Sequence, residues 1–532
     1  MLEVLRHLQR GAAVPTHTSV LIAGGGLVGL SAAVFLSRQG IPFVLLERRE
    51  GLSRHPRARG VNPRTMELLR AVGLEPAVRA AESARALSGN TGIVVVPNLA
   101  GPVLARLEQD YHTDGTTDFS ALSPTTWCLC HQDELEPLLR SRAEDGADDV
   151  GGALRFGSEL VSYTQDDDGV TATVQHLASD RTEQIHAKYL IAADGAGSRI
   201  RSHLGIGSED LGQVGHFINI QFTADLRAVL GDRRFIMAYT TKAGARCALL
   251  PVNNADRWLL HVLVDGPGTR LPADRCVELV RAAAGVPDLD VRIDGVVPWE
   301  SAGRVAQAFT AGRVFLAGDA AHVMPPSGAF GSNTGVQDVH NLAWKLAFVL
   351  RGVAGPELLA TYERERRPVA LATVEQAVRR SNDRPRMGGQ GGAEVDPEIR
   401  SDQEVTFGYR YPTAEGVPDA PFDRELTGRP GTRVPHVPLP DGSSTVDLCD
   451  GTGFTLLTAG DPAGWETAAH AVAARAHVPL SVRHVPGLPG GTLLVRPDGF
   501  VAWRTAQVPA DPAGELGQVL GRILDAPVAA AR

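Results

Sequence analysis

The sequence predicts an α/β protein built from a Rossmann-type dinucleotide-binding domain, a β-rich second domain and a smaller C-terminal α/β domain. Three observations carry this reading. A glycine-rich turn lies between two short apolar runs within residues 19–47. Two later motifs, at 189–205 and 311–350, again run from an apolar strand into a turn of Gly and Asp, and 217–297 is a series of β-rich runs without such a turn. At 532 residues the chain exceeds what one hydrophobic core supports, so several domains are expected.

Residues 20–23 (VLIA) are apolar, too short for a helix and followed by glycine, as expected of a buried parallel strand. Gly24, Gly26 and Gly29 follow in G-x-G-x-x-G spacing, and 27–38 carries helical periodicity in Leu27, Leu30, Ser31, Val34 and Phe35. Gly24 permits the tight turn, Gly26 lets a pyrophosphate approach the backbone, and Gly29 lets the helix lie close on the strand. The helix start then turns its unpaired N–H groups toward the phosphates. A second strand over 42–46 ends at Glu47, eighteen residues beyond Gly29, where a carboxylate can accept ribose hydroxyls. Reading the stretch as an ordinary glycine-rich turn leaves Glu47 unexplained.

Hydrophobic content of 43% and charged content of 21% are those of a globular protein. Net charge is −9 with no basic stripe, which argues against nucleic acid as a partner. Cys128, Cys130, Cys247, Cys276 and Cys449 form no C-x-x-C pair, so reduced thiols in a cytoplasmic protein are expected, and no metal site. Cys128 and Cys130 are expected on one face of a strand. Residues 1–18 read as a loose or short helical leader, not a signal peptide, and no apolar run of eighteen or more suggests a membrane span.

Beyond Glu47, Pro56 and Pro63 divide an extended loop from a helix with Met66, Leu69 and Val72 on one face. Arg54, Arg57, Arg59 and Arg64 cluster there; they are either a solvated loop or guanidiniums that hold the pyrophosphate bidentately. Residues 87–126 read as strands and loops over a pocket, with an acidic middle in Glu108, Asp110, Asp114 and Asp118. Gln132 sits where a strand turns into a helix, equally suited to a local structural role or to a cofactor contact. Two strands are expected over 153–174. At 190–193 a buried strand ends in Asp194-Gly195, with Ser198 placed to cap the helix opened by Arg199 and Arg201. Such an acid is either a ligand contact or part of a plain turn.

The runs FINIQFTADL, RFIMAYTT, ARCALLPV and RWLLHVLV read as an antiparallel sheet with one face over a cavity, a substrate platform. In the third motif a strand over 314–317 leads to Gly318-Asp319, a loop stiffened by Pro325 and Pro326, and glycines at 328, 331 and 335 before a long amphipathic helix. This glycine-rich loop at a helix start is a second anion site, with Asp319 suited to a sugar or ribitol hydroxyl. His322 reads as a packed, hydrogen-bonded residue before an acid or base. A further helix is expected to end at Pro368. Residues 384–430, rich in Gly, Pro and charge, read as a linker. From 431 on, strands at STVDLCD and GFTLLTAG, a helix over 462–476, strands at LSVRHV and TLLVRPDGFVAWRT and a last helix over 513–524 follow a thioredoxin-like order. Cys449 stands alone there, so redox activity is not expected.

Taken together, the three motifs resemble those of the class A flavoprotein monooxygenases, the para-hydroxybenzoate hydroxylase family, and within it the aromatic-polyketide hydroxylases and RebC-like enzymes of antibiotic biosynthesis. The resemblance spans 18–380, and the C-terminal segment matches the family's longer members. It implies a glutathione-reductase-like FAD-binding domain from 17–90, 127–205 and 300–383, and a substrate-binding sheet domain from 91–126 and 206–299. The linker would be 384–430 and the thioredoxin-like domain 431–532. It implies FAD contacts from Gly24, Gly26, Leu27, Val28, Gly29, Glu47 and Arg48, from Arg57 of P-R-A and from Gln132 of Q-x-x-L-E. Asp194 and Gly195 would serve FAD and NAD(P)H, and Gly318, Asp319, Pro326, Gly331, Ser332 and Asn333 the flavin half. Backbone N–H groups of Gly331, Ser332, Asn333 and Thr334 would stabilise negative charge on reduced flavin. Bound FAD, with NADPH or NADH and O2 as co-substrates, would transfer oxygen from a flavin C4a-hydroperoxide to a polycyclic aromatic, polyketide-like small molecule. Hydroxylation leads, with Baeyer–Villiger insertion, epoxidation or protection of a reactive intermediate as alternatives. A monomer or homodimer without nucleic-acid or membrane partners is expected. In this chain Ala329, Phe330 and Ser332 stand where the family's loop usually has Gly, Gln and Met.

Overall fold

The computed structural model describes residues 16–53, 55–107, 118–244, 246–387, 396–413, 416–418, 422–423 and 425–526, with side chains only to 383 in the fourth segment. The expectations for residues 1–15, for Arg54 and for Glu108, Asp110 and Asp114 lie outside these.

A first sheet runs in the order Thr310–Ala311, Val314–Leu316, Arg181–Ala192, His17–Ala23, Phe43–Glu47, Ala153–Phe156. Its central pairings are parallel, with Val20 beside Phe43 on one side and Tyr189 on the other. Val20, Leu21 and Ile22 are wholly buried, which is why they read as a continuous apolar run. The strand expected over 20–23 begins earlier, at His17. Where two strands were expected over 153–174 there are three: Gly157, at φ +72, separates Ala153–Phe156 from the hairpin Ser158–Gln165 and Val170–His176. The helices Leu27–Arg38 and Phe330–Leu350 pack together over this sheet.

The second sheet runs in the order His322–Val323, Arg292–Ala306, Ser208–Thr223, Arg257–Val264, Cys247–Pro251, Met237–Thr240, Ile93–Val96, Ala105–Leu107. Its pairings are antiparallel except that Met237–Thr240 runs parallel to Ile93–Val96. Alternation sends Ile218, Ile220, Phe222, Leu260 and Val262 into a second core under the helix Ala273–Ala284, and the intervening residues to the opposite face. A third sheet, in the order Leu480–His484, Phe454–Thr458, Thr492–Val495, Val501–Thr505, carries the helices Ala463–Ala476 and Pro512–Leu524.

Four expectations are corrected. The helix Glu357–Met387 runs straight through Pro368. A mid-helix proline costs about 3 kcal/mol, but Val369, Ala370, Val374, Ala377 and Val378 are all buried. Tyr362 Oη also donates to Leu316 O at 2.7 Å, so tertiary packing outweighs the lost bond. The supposed linker, where described, is packed: Ser401 and Glu404 form a capping box for the helix Asp402–Phe407, and Phe407, Tyr409 and Tyr411 are buried. These aromatic anchors are too irregularly spaced to show a period. The strand expected at 444–450 is a turn, because the Asp447 carboxylate accepts from Ser444 N and from Arg70. The strand at 128–130 reduces to one bridge, Val61 to Cys128.

Candidate active site

Gly24 takes φ +110, and a Cβ there would lie 2.2 Å from Ala193 O. A Cβ on Gly29 would lie 1.9 Å from Gly24 O, whereas one on Gly26 would meet only Glu136 Oε1, at 3.6 Å. Two of the glycines are therefore required by the protein's own packing, and the third borders open space at a helix start. Gly25 N and Arg49 N donate to Glu47 at 2.8 and 2.9 Å, which fixes the carboxylate at the end of its strand beside exposed Arg48. A carboxylate has lone pairs to spare for further donors.

The third motif closes on the first. A Cβ on Gly318 would lie 2.7 Å from Val28 Cγ2, and one on Gly335 2.6 Å from the same atom. Val28 therefore fills a notch that these two glycines leave open, and the two glycine-bearing turns are neighbours. Leu27, Gln132, Ser332 and Asn333 line a common cleft between them. Asp319 is open to solvent, yet desolvation by the surrounding protein holds its carboxyl above the ordinary range against the opposing charges of His322 and Arg57. Exposed Arg57 lies within electrostatic reach of it.

The helix Phe330–Leu350 has no side-chain cap at its start. Helix geometry leaves the amides of Phe330, Gly331 and Ser332 without intrahelical partners, while from Asn333 on the amides belong to the helix ladder. Asn333 acts through its side chain, accepting from Asn62 N at 3.0 Å and donating to Gly60 O at 2.9 Å. Thr334 Oγ1 donates to Phe330 O. Ala329 sits at φ +51, the left-handed region that favours glycine. Phe330 is buried against Ala377 and Val405, with the Arg380 guanidinium 4.9 Å from its ring centroid. Together these contacts pin the loop that follows Pro326.

Asp194 and Gly195 end their strand as expected, but the Asp194 carboxylate is engaged locally, accepting from Ser198 Oγ at 2.6 Å and Ile200 N at 3.2 Å. His322 is buried and packed: its Nε2 lies 2.7 Å from Asp338 Oδ2. Asp338, missed in the sequence, also accepts from Gly318 N and Arg366 Nε. Burial raises its carboxyl, but His322 and Arg366 outweigh that and hold it below the usual range. Glu136 was missed as well. It is 1% exposed and accepts from Gln132 Nε2 at 2.6 Å, and burial with the charge of Glu47 raises its carboxyl against these hydrogen bonds. Its position in the Q-x-x-L-E motif was the available signal. Gln132 Oε1 in turn accepts from Ala58 N, tying the arginine loop to the site.

That loop also spans to the second sheet: Arg59 donates to Pro251 O at 2.5 Å and Ile236 O at 3.3 Å. The ends of two strands of the second sheet therefore meet the arginine loop. Among the described residues no helix is long and apolar enough to cross a membrane, and no cluster of His, Cys, Asp or Glu could hold a metal ion.

A nucleotide-type glycine turn with a second glycine-rich helix start beside it defines a dinucleotide-binding α/β protein. Residues 17–377 match the FAD binding domain family and 427–527 the aromatic-ring hydroxylase C-terminal family. The chain belongs to the FAD-dependent aromatic-ring hydroxylases, the para-hydroxybenzoate hydroxylase family, in its aromatic-polyketide branch. It is 40% identical to the tetracenomycin A2 monooxygenase-dioxygenase of Streptomyces glaucescens, over 95% of this chain and 96% of that one. The crystal structure of aklavinone-11 hydroxylase with FAD and aklavinone matches with a TM-score of 0.85 at 37% identity, covering 96% of this chain and 99% of that one. RebC with bound 7-carboxy-K252c matches with a TM-score of 0.82 at 33% identity, covering 97% and 100%.

Proposed function

We propose that this protein is an FAD- and NAD(P)H-dependent monooxygenase that hydroxylates a polycyclic aromatic, polyketide-like substrate in antibiotic biosynthesis. The observation that carries the reading is the Val28 notch: it sets two anion-binding helix starts side by side, as one extended cofactor gripped at both ends requires. The residues fit FAD. Gly26 leaves room for the pyrophosphate, Glu47 for ribose, Arg57 for phosphate charge and Asp319 for ribitol hydroxyls. Gln132, Asp194 and Gly195 border the same cofactor. When bound, FAD supplies reduction by the nicotinamide and activation of dioxygen. The chain's own residues contribute binding, orientation and charge stabilisation. Unpaired amides at Gly331 and Ser332 present positive potential where negative charge develops, with Asn333 and Thr334 fixing that first turn.

The domain division drawn from the sequence goes with this reading: 17–90, 127–205 and 300–383 for FAD, 91–126 and 206–299 for substrate, and 431–532 for a thioredoxin-like domain. The strand order of the last, with one parallel and two antiparallel pairings, supports that assignment. The relatives' substrates favour a fused aromatic ring system. Retention of a reactive intermediate without oxygen transfer is the second reading, favoured by the left-handed Ala329 and socketed Phe330. Incubation with NAD(P)H, isotope-labelled dioxygen and a panel of polyketide-derived aromatics separates the two. Label in the product is expected; tight aromatic binding with no labelled product across the panel would favour the second.

A further inference from the structure

The open face of the second sheet carries a polar pair held in one orientation. In the antiparallel register Asn219 lies directly opposite His261, and Trp299 lies opposite Phe217, so these four side chains share the face turned away from the second core. Phe217 and Trp299 stack at 4.8 Å and are half-buried, which leaves a flat aromatic surface accessible. Trp299 Nε1 donates to Asn219 Oδ1 at 2.7 Å. An indole N–H can only donate, so the Asn219 amide must turn its oxygen to Trp299 and its NH2 away. That NH2 makes no hydrogen bond to the described residues, and neither does His261, whose ring meets Trp299 edge-on at 5.8 Å.

The pair lies within electrostatic reach of the arginine loop. His261 is half-buried, and burial with the charge of Arg59 keeps its imidazole neutral, its pKa pushed down to about 3. Arg59 is the residue that ties the arginine loop to the strand ends at Ile236 and Pro251. His55, on the same loop, is 8% exposed, and both its ring nitrogens lack partners among the described residues. A fixed amide donor beside an imidazole that can accept, next to a flat aromatic surface, matches adjacent carbonyl and hydroxyl groups on the edge of a fused ring.

We propose that Asn219 and His261 recognise a hydroxy-ketone edge, a ring carbonyl with a neighbouring phenolic hydroxyl, on a fused aromatic substrate laid along Phe217 and Trp299, with Trp299 as the positioning residue for Asn219. This rests on the monooxygenase reading and names its substrate class. The Asn219 NH2 donates to the carbonyl, and the hydroxyl turns from its internal bond with that carbonyl to donate to His261. A site built to pair a hydroxyl discriminates strongly against the analogue that lacks it, because its own polar groups are then left unsatisfied.

The test is binding of 1-hydroxyanthraquinone and of unsubstituted anthraquinone to the FAD-loaded full chain, followed by equilibrium titration. Wild-type protein is expected to prefer the hydroxylated ring by about tenfold or more. Asn219→Leu and His261→Phe should each remove most of that preference with flavin content unchanged. Trp299→Phe, which keeps an aromatic ring but loses the N–H, should lower the preference by a smaller factor. Wild-type protein that holds FAD yet shows no preference for the hydroxylated ring overturns this inference and leaves the proposed function standing. Protein that takes up no FAD removes both.

Discussion

Gly26 and Gly29 differ by three positions and by what a methyl group would meet at each. At Gly29 it would lie 1.9 Å from a backbone oxygen, and at Gly26 3.6 Å from one side-chain oxygen. Gly29→Ala is therefore expected to destabilise the apoprotein by about 2–4 kcal/mol, read from thermal or denaturant unfolding. Gly26→Ala should leave the apoprotein within about 0.5 kcal/mol of wild type and still lose flavin, because its methyl group occupies the space left for the pyrophosphate. Ala329 presents the reverse case. Its left-handed backbone is strained for any residue with a Cβ, so Ala329→Gly is expected to stabilise the protein by about 1 kcal/mol. A lower midpoint for that variant would mean that the loop adopts another conformation.

Among the elements, the first strand–turn–helix–strand unit was legible because its signal is local: each glycine has one job within a dozen residues. The Gly318-Asp319 turn and the helix after it were legible for the same reason. The substrate platform was legible as β-structure, but its polar pair was not, since Asn219 and His261 meet only through a register between strands some forty residues apart. The alternation Ile218-Asn219-Ile220-Gln221-Phe222 was the available hint. Pro368 misled because propensity is a local rule, and a helix buried along most of its length answers to its neighbours. Asp338 was invisible for a related reason: its partners come from two other segments, Gly318 and His322 from the turn after the strand and Arg366 from the helix Glu357–Met387.

Across the molecule, buried ion pairs join the C-terminal domain to the rest. Arg496 donates to Glu365 at 2.6 and 2.8 Å, Lys345 Nζ reaches the same carboxylate at 2.7 Å, and Arg433 binds Glu67. Burial, opposed by Glu365, lowers the Lys345 pKa to about 8. Glu365→Ala would leave Arg496 with Asp498 alone and buried Lys345 with only the Asn341 amide oxygen, and is expected to cost about 3 kcal/mol in denaturant unfolding. A loss under 1 kcal/mol would show that water reaches this seam. Burial also lowers the imidazoles of His55 to about 4 and of His261 and His340 to about 3. Their folded pKa values lie below the unfolded value near 6.5, so their stabilising contribution is complete above it and is lost progressively as pH falls toward 4. Unfolding at about pH 5 should therefore require on the order of 2 kcal/mol less per ring than at pH 7, and equal stability at both would place these rings in water.

The whole account depends on the two glycine-bearing turns gripping one flavin. The most direct measurement is the flavin content of the purified full chain and of Asp319→Ala, released by denaturation and quantified by absorbance. Near-stoichiometric FAD in the wild type and a much reduced content in the variant is the expected result. A colourless wild-type protein that takes up no added FAD would contradict it.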